Sequence, residues 1–202
     1  MPHDNRPRTL RELGGLPTRA EGLAGTAIVV IDAQHEYLDG NLALPAVDRA
    51  VDQIRRLLDA ARSRGTPVIH VAHSGRPGGL FAPGAGGEII EQVAPIAGET
   101  VIGKSFPNAF AGTELRSAIE LLGDPRLVLC GFMTHMCVSS TARAALDLGL
   151  DATVVSDATA TRSLPSTGSG DPIPAELVHE IALAELADRF SVVADTAALL
   201  HE

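Results

Sequence analysis

Short continuous apolar runs alternate along the chain with segments whose apolar residues recur at three- and four-residue steps. The first run, Thr26–Ile31, is rich in β-branched residues and has no polar alternation, which predicts a strand buried on both faces. Similar runs predict further strands over 67–72, 100–102, 127–130, 152–155 and 190–193. Helical spacing predicts helices over 45–64, 88–93, 113–122, 135–148, 174–187 and 196–200. Strands that alternate with helices indicate an α/β fold with a mainly parallel sheet and helices on both faces.

The remaining segments divide the chain into an arm and one domain. Residues 1–25 hold Arg, Pro and Gly with little periodicity, so we predict an N-terminal arm with a turn of helix near Leu10–Leu13. Residues 26–202 are predicted to form a single domain. Loops are predicted over 33–41 and 74–87, and the Ser-, Gly-, Thr- and Pro-rich segment 159–174 has a length typical of functional loops.

Composition argues against several functional classes. The chain has 202 residues, with 16 Lys and Arg against 25 Asp and Glu, and a formal net charge of −9. Without a basic stripe, and with no Trp and one Tyr, nucleic acid is not an expected partner. No apolar run suits a membrane span or a signal core, so no membrane partner is expected. Two cysteines make no disulfide framework, which fits a reducing cytoplasm.

One stretch combines a strand, a glycine and a helix around Cys137. The apolar run 127–130 should end at Gly131, Thr134 is placed to cap the next helix, and Gly149 ends that helix. Cys137 therefore lies in the first turn of a helix that follows a central strand. Backbone N–H groups and the helix dipole favour an anion there, so we expect the thiol to be shifted toward the reactive thiolate. The alternative is a small buried apolar residue, a common state of cysteine.

Lys104 is the only lysine among the 16 Lys and Arg residues. The chain uses Arg wherever a generic positive charge is needed, so a lone Lys indicates a task that needs a compact ammonium. Asp32, Lys104 and Cys137 each fall at the end of a predicted strand. In open parallel sheets, ligands bind outside the carboxyl ends of the strands. The sequence therefore predicts that these three residues meet in one catalytic site.

These residue types suit covalent catalysis by a thiol. Asp32 takes the proton of Cys137, Lys104 holds the thiolate and orients Asp32, and the sulfur attacks a carbonyl carbon. We expect the backbone N–H groups of Met133 and Cys137 to form the oxyanion hole. Asp32 then protonates the leaving group and activates the water that hydrolyses the thioester.

Three stretches together resemble the isochorismatase-like (cysteine hydrolase) superfamily: Asp32 after Ile-Val-Val-Ile, Lys104-Ser-Phe-Pro-Asn-Ala-Phe, and Gly-Phe-Met-Thr-His-Met-Cys-Val at 131–138. This resemblance covers most of the chain. It implies a three-layer, Rossmann-like fold with a six-stranded sheet, a triad of Asp32, Lys104 and Cys137, and a cis peptide bond at Phe132–Met133. It also suggests a homo-oligomer, a dimer or larger, whose neighbouring subunit contributes to the pocket.

No metal or cofactor is predicted. Members of the superfamily include isochorismatases, nicotinamidases, N-carbamoylsarcosine amidases and streptothricin-hydrolase-like amidases, and the resemblance implies an Asp/His metal cluster in nicotinamidases. Here the corresponding segment offers His70 and His73 with no nearby carboxylate. We interpret His73 as a polar pocket wall or a strand-end residue, and His70 as a core histidine.

Several other side chains are candidates for substrate binding. With the triad in place, the pocket would be lined by Gln34, Tyr37, Phe106, Phe110 and His135. For Phe106 and Phe110, core packing is an equally good interpretation. Asp157, at a strand end, is expected to cap the next turn and not to take part in catalysis. Cys130 is expected to be inert core.

Three functions remain open. The first is hydrolysis of a small-molecule amide or ureide C–N bond by Cys137 through a thioester. The second is isochorismatase-type hydrolysis of a vinyl ether, which needs protonation by an acid more than it needs a nucleophile. The third is a non-catalytic protein that binds a small ligand or acts as a scaffold, because a fold alone does not establish chemistry.

Overall fold

A sheet of six strands forms the centre of the computed structural model, which describes residues 6–168 and 170–201. The strands are β1 (Thr26–Ile31), β2 (Val68–His73), β3 (Thr100–Lys104), β4 (Arg126–Phe132), β5 (Ala152–Ala160) and β6 (Val192–Ala194). Their order across the sheet is β3-β2-β1-β4-β5-β6, and every neighbouring pair is parallel. This confirms the predicted α/β fold with a six-stranded parallel sheet.

Helices connect the strands and cover both faces of the sheet. They are α1 (Leu10–Leu13), α2 (His35–Leu38), α3 (Val47–Arg64), α4 (Leu115–Leu121), α5 (Ser139–Asp147), α6 (Ala175–Glu185) and α7 (Thr196–Leu200). A 3-10 turn covers Glu91–Val93, and π-helical turns cover Thr134–Val138 and Leu186–Phe190. The helical turn predicted in the arm is α1, while residues 1–5 lie outside the described residues and the division into arm and domain stays a prediction. Within the described part of the chain, no helix combines the length and apolar character that crossing a membrane requires.

β1 shows why the sheet is covered on both sides. Ile28 and Val30 belong to the buried cluster that contains the apolar stripe of α3, whereas Val29 and Ile31 belong to the cluster that contains α4 and α5. All residues of β1 are buried. Full burial of each such aliphatic side chain contributes about 1.5–3 kcal/mol to folding. The carboxyl end of this central strand is thereby held rigidly between two cores.

Every strand after β1 ends later in the chain than predicted, and two of them continue past a residue expected to end them. β4 continues through Gly131, which therefore does not end the strand. Glycine is needed there because β1 lies close: a Cβ at this position would be 1.9 Å from the carbonyl oxygen of Ile31, and φ is 111°. β5 continues past Asp157 into the segment predicted as a long loop. Pairing between strands, which is not visible locally, decides where both strands end.

The helix predictions are wrong in two places. The predicted loop over 33–41 contains the short helix α2. In α6, helical spacing predicts that Leu177 and Ile181 face inward, but they are 45% and 49% exposed, and Val178 and Ala182 are buried instead. The buried face of α6 is set by its contacts with the turn after β4 and with β5, which lie far away in sequence.

Candidate active site

The carboxyl ends of four adjacent strands bring the predicted catalytic residues to one edge of the sheet. Asp32 directly follows β1, Lys104 is the last residue of β3, and Cys137 lies in the π-helical turn after β4. The strand between β1 and β3 is β2, whose last residue, His73, pairs in register with Lys104. Because all strands are parallel, these side chains converge.

The three predicted catalytic residues contact one another through the ammonium of Lys104. Its Nζ lies 2.7 Å from Oδ2 of Asp32 and donates a hydrogen bond of 3.4 Å to Sγ of Cys137. Asp32 is 0% exposed, Lys104 2% and Cys137 6%. The carboxylate of Asp32 also interacts directly with the thiol of Cys137, so it is placed to accept the proton of that thiol. The arrangement has an acceptor, a cation and a nucleophile within reach of one another.

Asp32 is held in an uncommon backbone conformation. Its φ is 50°, in the left-handed region that residues other than glycine seldom adopt. The peptide N–H of Asp32 donates to the carbonyl of Val71 at 2.8 Å, and its own carbonyl accepts from the N–H of Gln34 at 2.8 Å. These two bonds turn the chain sharply at the end of β1. Strained residues of this kind are often found at functional sites.

Burial determines the protonation states in this cluster. It raises the pKa of Asp32, although the positive charge of Lys104 opposes the shift. Burial, followed by the negative charge of Asp32, raises the pKa of Cys137 to about 12. Burial therefore opposes a thiolate in the free enzyme, against the expectation that a helix start shifts the thiol toward that form. Cys137 lies in a π-helical turn, Thr134–Val138, that continues directly into α5, so its predicted place in the first turn of a helical segment is confirmed.

The turn that carries Cys137 closes on Met133. The peptide bond at Phe132–Met133 is cis, at the position implied by the family resemblance. The carbonyl of Met133 accepts hydrogen bonds from the N–H groups of Met136 at 3.0 Å and Val138 at 3.2 Å. Assignment of the Met133 and Cys137 N–H groups to an oxyanion hole stays a prediction. Thr134, predicted as a cap, instead pairs with His179 Nδ1 at 2.9 Å.

His73 is a neighbour of the catalytic cation. Its Nδ1 lies 3.5 Å from Nζ of Lys104, and burial followed by the charge of Lys104 lowers the pKa of His73. A neutral ring can therefore accept a hydrogen bond from the ammonium. His70 pairs with Glu99 in the core at 3.1 Å. Over residues 6–168 and 170–201, no group of three His, Cys, Asp or Glu side chains could hold a metal ion.

Gln34 is predicted to bind substrate, but in the structure its amide is bonded to the backbone. Its Nε2 donates to the carbonyls of His73 at 2.9 Å and Gly87 at 2.7 Å, and its Oε1 accepts from the N–H of His73 at 2.8 Å. The side chain is 0% exposed. Because three bonds engage its amide and the side chain is fully buried, Gln34 ties the end of β1 to the end of β2 and does not face a substrate in this conformation.

The other predicted pocket residues lie in different environments. Tyr37 is buried, with its ring edge-on to Phe81 and Phe132, and burial followed by the charge of Asp32 raises its pKa. Phe110 packs against the buried cluster that includes Cys137. Phe106, by contrast, is 59% exposed, so it does not line an enclosed pocket in this conformation. His135 is half-buried and its Nδ1 contacts the hydroxyl of Thr161.

Asp157 and Cys130 lie outside the site. Asp157 accepts hydrogen bonds from the backbone N–H and the hydroxyl of Thr196, both at 2.8 Å. It therefore supports the start of α7, which is a capping role but at a distant helix. Cys130 is 0% exposed, and burial raises its pKa to about 12. It is an inert core thiol, as predicted.

Sequence reasoning missed Glu36, Phe81 and Arg162. Glu36 is a carboxylate buried under the loop that carries Phe81. Nε of Arg162 is buried without a hydrogen-bond partner, and no carboxylate of the described residues forms an ion pair with this guanidinium. Only the length of the segment around Arg162 marked it as functional. An open cavity of about 390 Å³ between α3 and α6 is lined by none of the three catalytic candidates.

Comparison with known proteins decides the family. The family model described as Isochorismatase domain matches residues 26–198 of this chain. The chain belongs to the isochorismatase family. The secreted isochorismatase effector Isc1 of Verticillium dahliae is 35% identical to it, over 92% of this chain and 95% of its own. A streptothricin hydrolase of Streptomyces noursei is 35% identical over 86% of this chain and 63% of its own.

Further similarities extend to solved structures and to amidohydrolases. The crystal structure of an isochorismatase from Pseudomonas putida KT2440 has 45% sequence identity and a TM-score of 0.92, covering 96% of this chain and 100% of that one. The ureidoacrylate amidohydrolase RutB of Stutzerimonas stutzeri is 28% identical over 71% of this chain and 75% of its own. The family member described here is accordingly an enzyme, a hydrolase, and the alternative of a non-catalytic binding protein is set aside.

Proposed function

We propose that this hydrolase cleaves the C–N bond of a small amide or ureide, with Cys137 as the nucleophile and a thioester as the intermediate. The observation that supports it best is the position of the Lys104 ammonium, 2.7 Å from Asp32 Oδ2 and 3.4 Å from Cys137 Sγ. A cation between a buried carboxylate and a thiol can stabilise the negative charge whichever of the two carries it.

The reaction begins from a protonated thiol. Asp32 accepts the proton of Cys137 as the sulfur attacks the carbonyl carbon. No free thiolate is then needed in the resting enzyme, where burial raises the pKa of Cys137 to about 12. The carbonyl oxygen becomes an oxyanion that the N–H groups of Met133 and Cys137 stabilise, each worth about 3 kcal/mol. The C–N bond then breaks, and Asp32 passes its proton to the leaving nitrogen.

The second half of the reaction regenerates the enzyme. Asp32, now ionised, takes a proton from a water molecule, and the hydroxide attacks the carbonyl carbon of the thioester. The carbon–sulfur bond breaks, the product leaves as a carboxylic or carbamic acid, and the sulfur recovers the proton from Asp32. Lys104 keeps its charge throughout and balances the single negative charge that moves between Asp32, Cys137 and the substrate oxygen.

The substrate class is proposed from the relatives and from the guanidinium of Arg162, which donates to the carbonyl of Ser163 at 3.3 Å but has no carboxylate partner among the described residues. One relative is named as a hydrolase of streptothricin, and another as an amidohydrolase of ureidoacrylate, whose name denotes a ureide that carries a carboxylate. Arg162 follows Thr161, which contacts His135 in the π-helical turn that carries Cys137, Thr134–Val138, here named the nucleophile turn. Its buried Nε lacks a partner, and a guanidinium pairs well with a carboxylate. We therefore propose that Arg162 binds an anionic group of the substrate.

A second candidate is vinyl ether hydrolysis of the isochorismatase type. Two observations favour it: the name of the relative Isc1, and the raised pKa of Asp32, which suits a proton donor. The two reactions differ in their need for sulfur. Substitution of Cys137 by serine should reduce amide hydrolysis severely, because the alkoxide is harder to form, but should affect vinyl ether hydrolysis only mildly.

A substrate screen tests the proposal. Small primary amides and ureides, with and without a carboxylate, are incubated with the enzyme and ammonia release is measured. We expect Cys137→Ala to lower kcat by about 10³-fold or more on any substrate found. Cys130→Ala, which alters the other buried thiol, is the matched control and should keep the activity. Full activity of Cys137→Ala would exclude the covalent mechanism.

A further inference from the structure

The proposed catalytic groups are almost completely buried in this conformation, and only a small part of the Cys137 side chain reaches the surface. Asp32 is 0% exposed, Lys104 2% and Cys137 6%. A substrate carbonyl must reach the sulfur, so some element over the site has to move. The covering element should be rich in flexible residues and should touch the catalytic groups or their neighbours.

The loop of residues 74–87, here named the roof loop, meets both conditions. Six of its 14 residues are glycine, which gives the backbone many accessible conformations. Its one buried aromatic side chain, Phe81, packs on the ring of His73 with centroids 4.9 Å apart and on Tyr37 with centroids 5.2 Å apart. His73 in turn contacts Nζ of Lys104. The roof loop therefore contacts the catalytic cation indirectly, through the rings of Phe81 and His73.

A buried carboxylate fastens this loop. Oε2 of Glu36 accepts a hydrogen bond of 3.0 Å from the N–H of Phe81. Its other oxygen, Oε1, accepts one of 2.8 Å from the N–H of Asn41. The backbone N–H of Glu36 donates to the carbonyl of Gly86 at 2.9 Å. Glu36 is only 3% exposed, and no cation pairs with it among the ion pairs of the described residues. Its two carboxylate oxygens accept from backbone N–H groups of the two flanking segments.

The roof loop is shaped around this carboxylate. A Cβ on Gly86 would lie 2.3 Å from Oε2 of Glu36, far inside van der Waals contact. Phe81 adopts a φ of 55°, a conformation that a bulky residue keeps only when its surroundings enforce it. The hydrogen bond from the N–H of Phe81 to Glu36 helps to hold this backbone conformation, so its loss would favour another conformation of the loop. The two oxygens of one side chain thus join α2 and its exit to the roof loop.

We propose that Glu36 is a positioning residue that latches the roof loop over Asp32, Lys104 and Cys137, and that release of this latch opens the path of the substrate to the sulfur. This inference rests on the proposed function, which identifies the covered residues as the catalytic site. Its test uses no substrate, so failure of the latch and failure of the hydrolase mechanism can be told apart.

The experiment compares the rates at which iodoacetamide alkylates Cys137 and Cys130, measured peptide by peptide by mass spectrometry. The variants are Glu36→Gln, which leaves one backbone N–H without an acceptor, and Gly86→Ala, which disturbs the latch from the loop side. We expect either to raise the alkylation rate of Cys137 about tenfold, since an unsatisfied buried donor shifts a local opening equilibrium by about that factor. Cys130, 0% exposed, reports global unfolding and should not change.

Glu99→Gln is the matched control. Glu99 is also a buried carboxylate, but it precedes β3 and so lies at the opposite edge of the sheet from Cys137. The Glu99→Gln variant should have a lower unfolding temperature than the wild type but the same alkylation rate of Cys137. Glu36→Asp, which keeps the charge but reaches less far, should give an intermediate rate. The latch is refuted if the alkylation rate of Cys137 is unchanged in both Glu36→Gln and Gly86→Ala, or if the rate of Cys130 rises in parallel. It is also refuted by an equal rise at Cys137 in Glu99→Gln, or if the rise comes only from a shift of the pH dependence of the Cys137 alkylation rate.

Discussion

At the scale of single residues, the chemistry depends on the difference between lysine and arginine. Lys104 is fully buried and its compact ammonium contacts Asp32, Cys137 and His73 together. A planar guanidinium spreads its donors in a fixed fork and cannot fit the same space. The composition of the chain pointed to this residue, because every other basic side chain apart from histidine is arginine.

Lys104→Arg should therefore behave as a severe lesion although the charge is kept. We expect kcat to fall by about 10²–10³-fold, the usual cost of removing a preorganised electrostatic contact, with the unfolding temperature also lowered by overpacking. Steady-state kinetics and a thermal melt measure both effects. Arg19→Lys, an exposed exchange in the opposite direction, is the control and should be neutral. Retention of wild-type kcat by Lys104→Arg would contradict the assigned role.

The state of Cys137 in the free enzyme can be checked by its pH dependence. Because burial and Asp32 raise its pKa to about 12, the alkylation rate of Cys137 should keep rising through the alkaline range. A thiolate already present near neutrality would instead give a rate that levels off there. Observation of such a plateau by iodoacetamide labelling would show that the thiol is activated before substrate binds.

At the scale of elements, the site depends on how closely β1 and β4 approach. Gly131 pairs in register with Ile31, and a Cβ on it would collide with the Ile31 carbonyl at 1.9 Å. Asp32 follows one strand and the nucleophile turn follows the other. Any separation of the two strands therefore moves the base away from the sulfur.

Gly131→Ala should destabilise the enzyme by about 3 kcal/mol or more and abolish activity, because both the φ of 111° and the close carbonyl oppose a side chain. Gly123→Ala is the matched control, since its φ is 83° but no atom lies within 4 Å of the added carbon. It should cost only about 1 kcal/mol. Denaturant unfolding compares the two, and equal losses would contradict the role given to the close approach.

A second element-scale feature joins α3, β2 and the start of β3. Glu99 accepts two hydrogen bonds of 2.9 Å from the guanidinium of Arg62 and one of 3.1 Å from His70. Burial alone would raise the pKa of Glu99, but the bonds from Arg62 and from the N–H of Ile96 lower it to about 2 from an ordinary 4.5. The bonds stabilise the fold only while the carboxylate is ionised.

The stabilisation from Glu99 should therefore be complete above about pH 4.5 and be lost as the pH falls toward 2. Glu99→Gln should lower the free energy of unfolding by about 2 kcal/mol near neutral pH. The difference between wild type and variant should shrink on acidification over that window. Urea denaturation at several pH values measures it, and a difference that stays constant with pH would contradict the assignment.

At the scale of the whole molecule, the order of strands and helices was predictable and the contacts between distant segments were not. Unbroken apolar runs marked β1, and the coincidence of Asp32, Lys104 and Cys137 at strand ends followed from parallel topology. The sequence missed the continuation of β4 through Gly131, the use of Gln34 by the backbone, and the latch at Glu36. Each is decided by a neighbour more than 40 residues away or by burial, which local periodicity does not report.

The homo-oligomer implied by the family resemblance stays a proposal, and the surface offers a way to test it. Leu177 and Ile181 on α6 and Met136 on the adjoining turn are exposed apolar side chains that a second copy of the chain would cover. Light scattering on a sizing column should give at least twice the monomer mass, and Ile181→Glu should shift it toward the monomer. Leu121→Glu, at an 88% exposed position on α4, is the control. A monomer in the wild type would end the proposal.

The central claim is that the sulfur of Cys137 forms a covalent bond to the substrate. The most direct measurement is rapid quenching of the enzyme during turnover of a substrate from the screen, followed by intact-mass and peptide mass spectrometry. The mechanism predicts a mass increase equal to the acyl fragment, located on Cys137 and absent in Cys137→Ala. Turnover without any adduct on Cys137 under conditions where deacylation limits the rate, or an adduct on another residue, would contradict it.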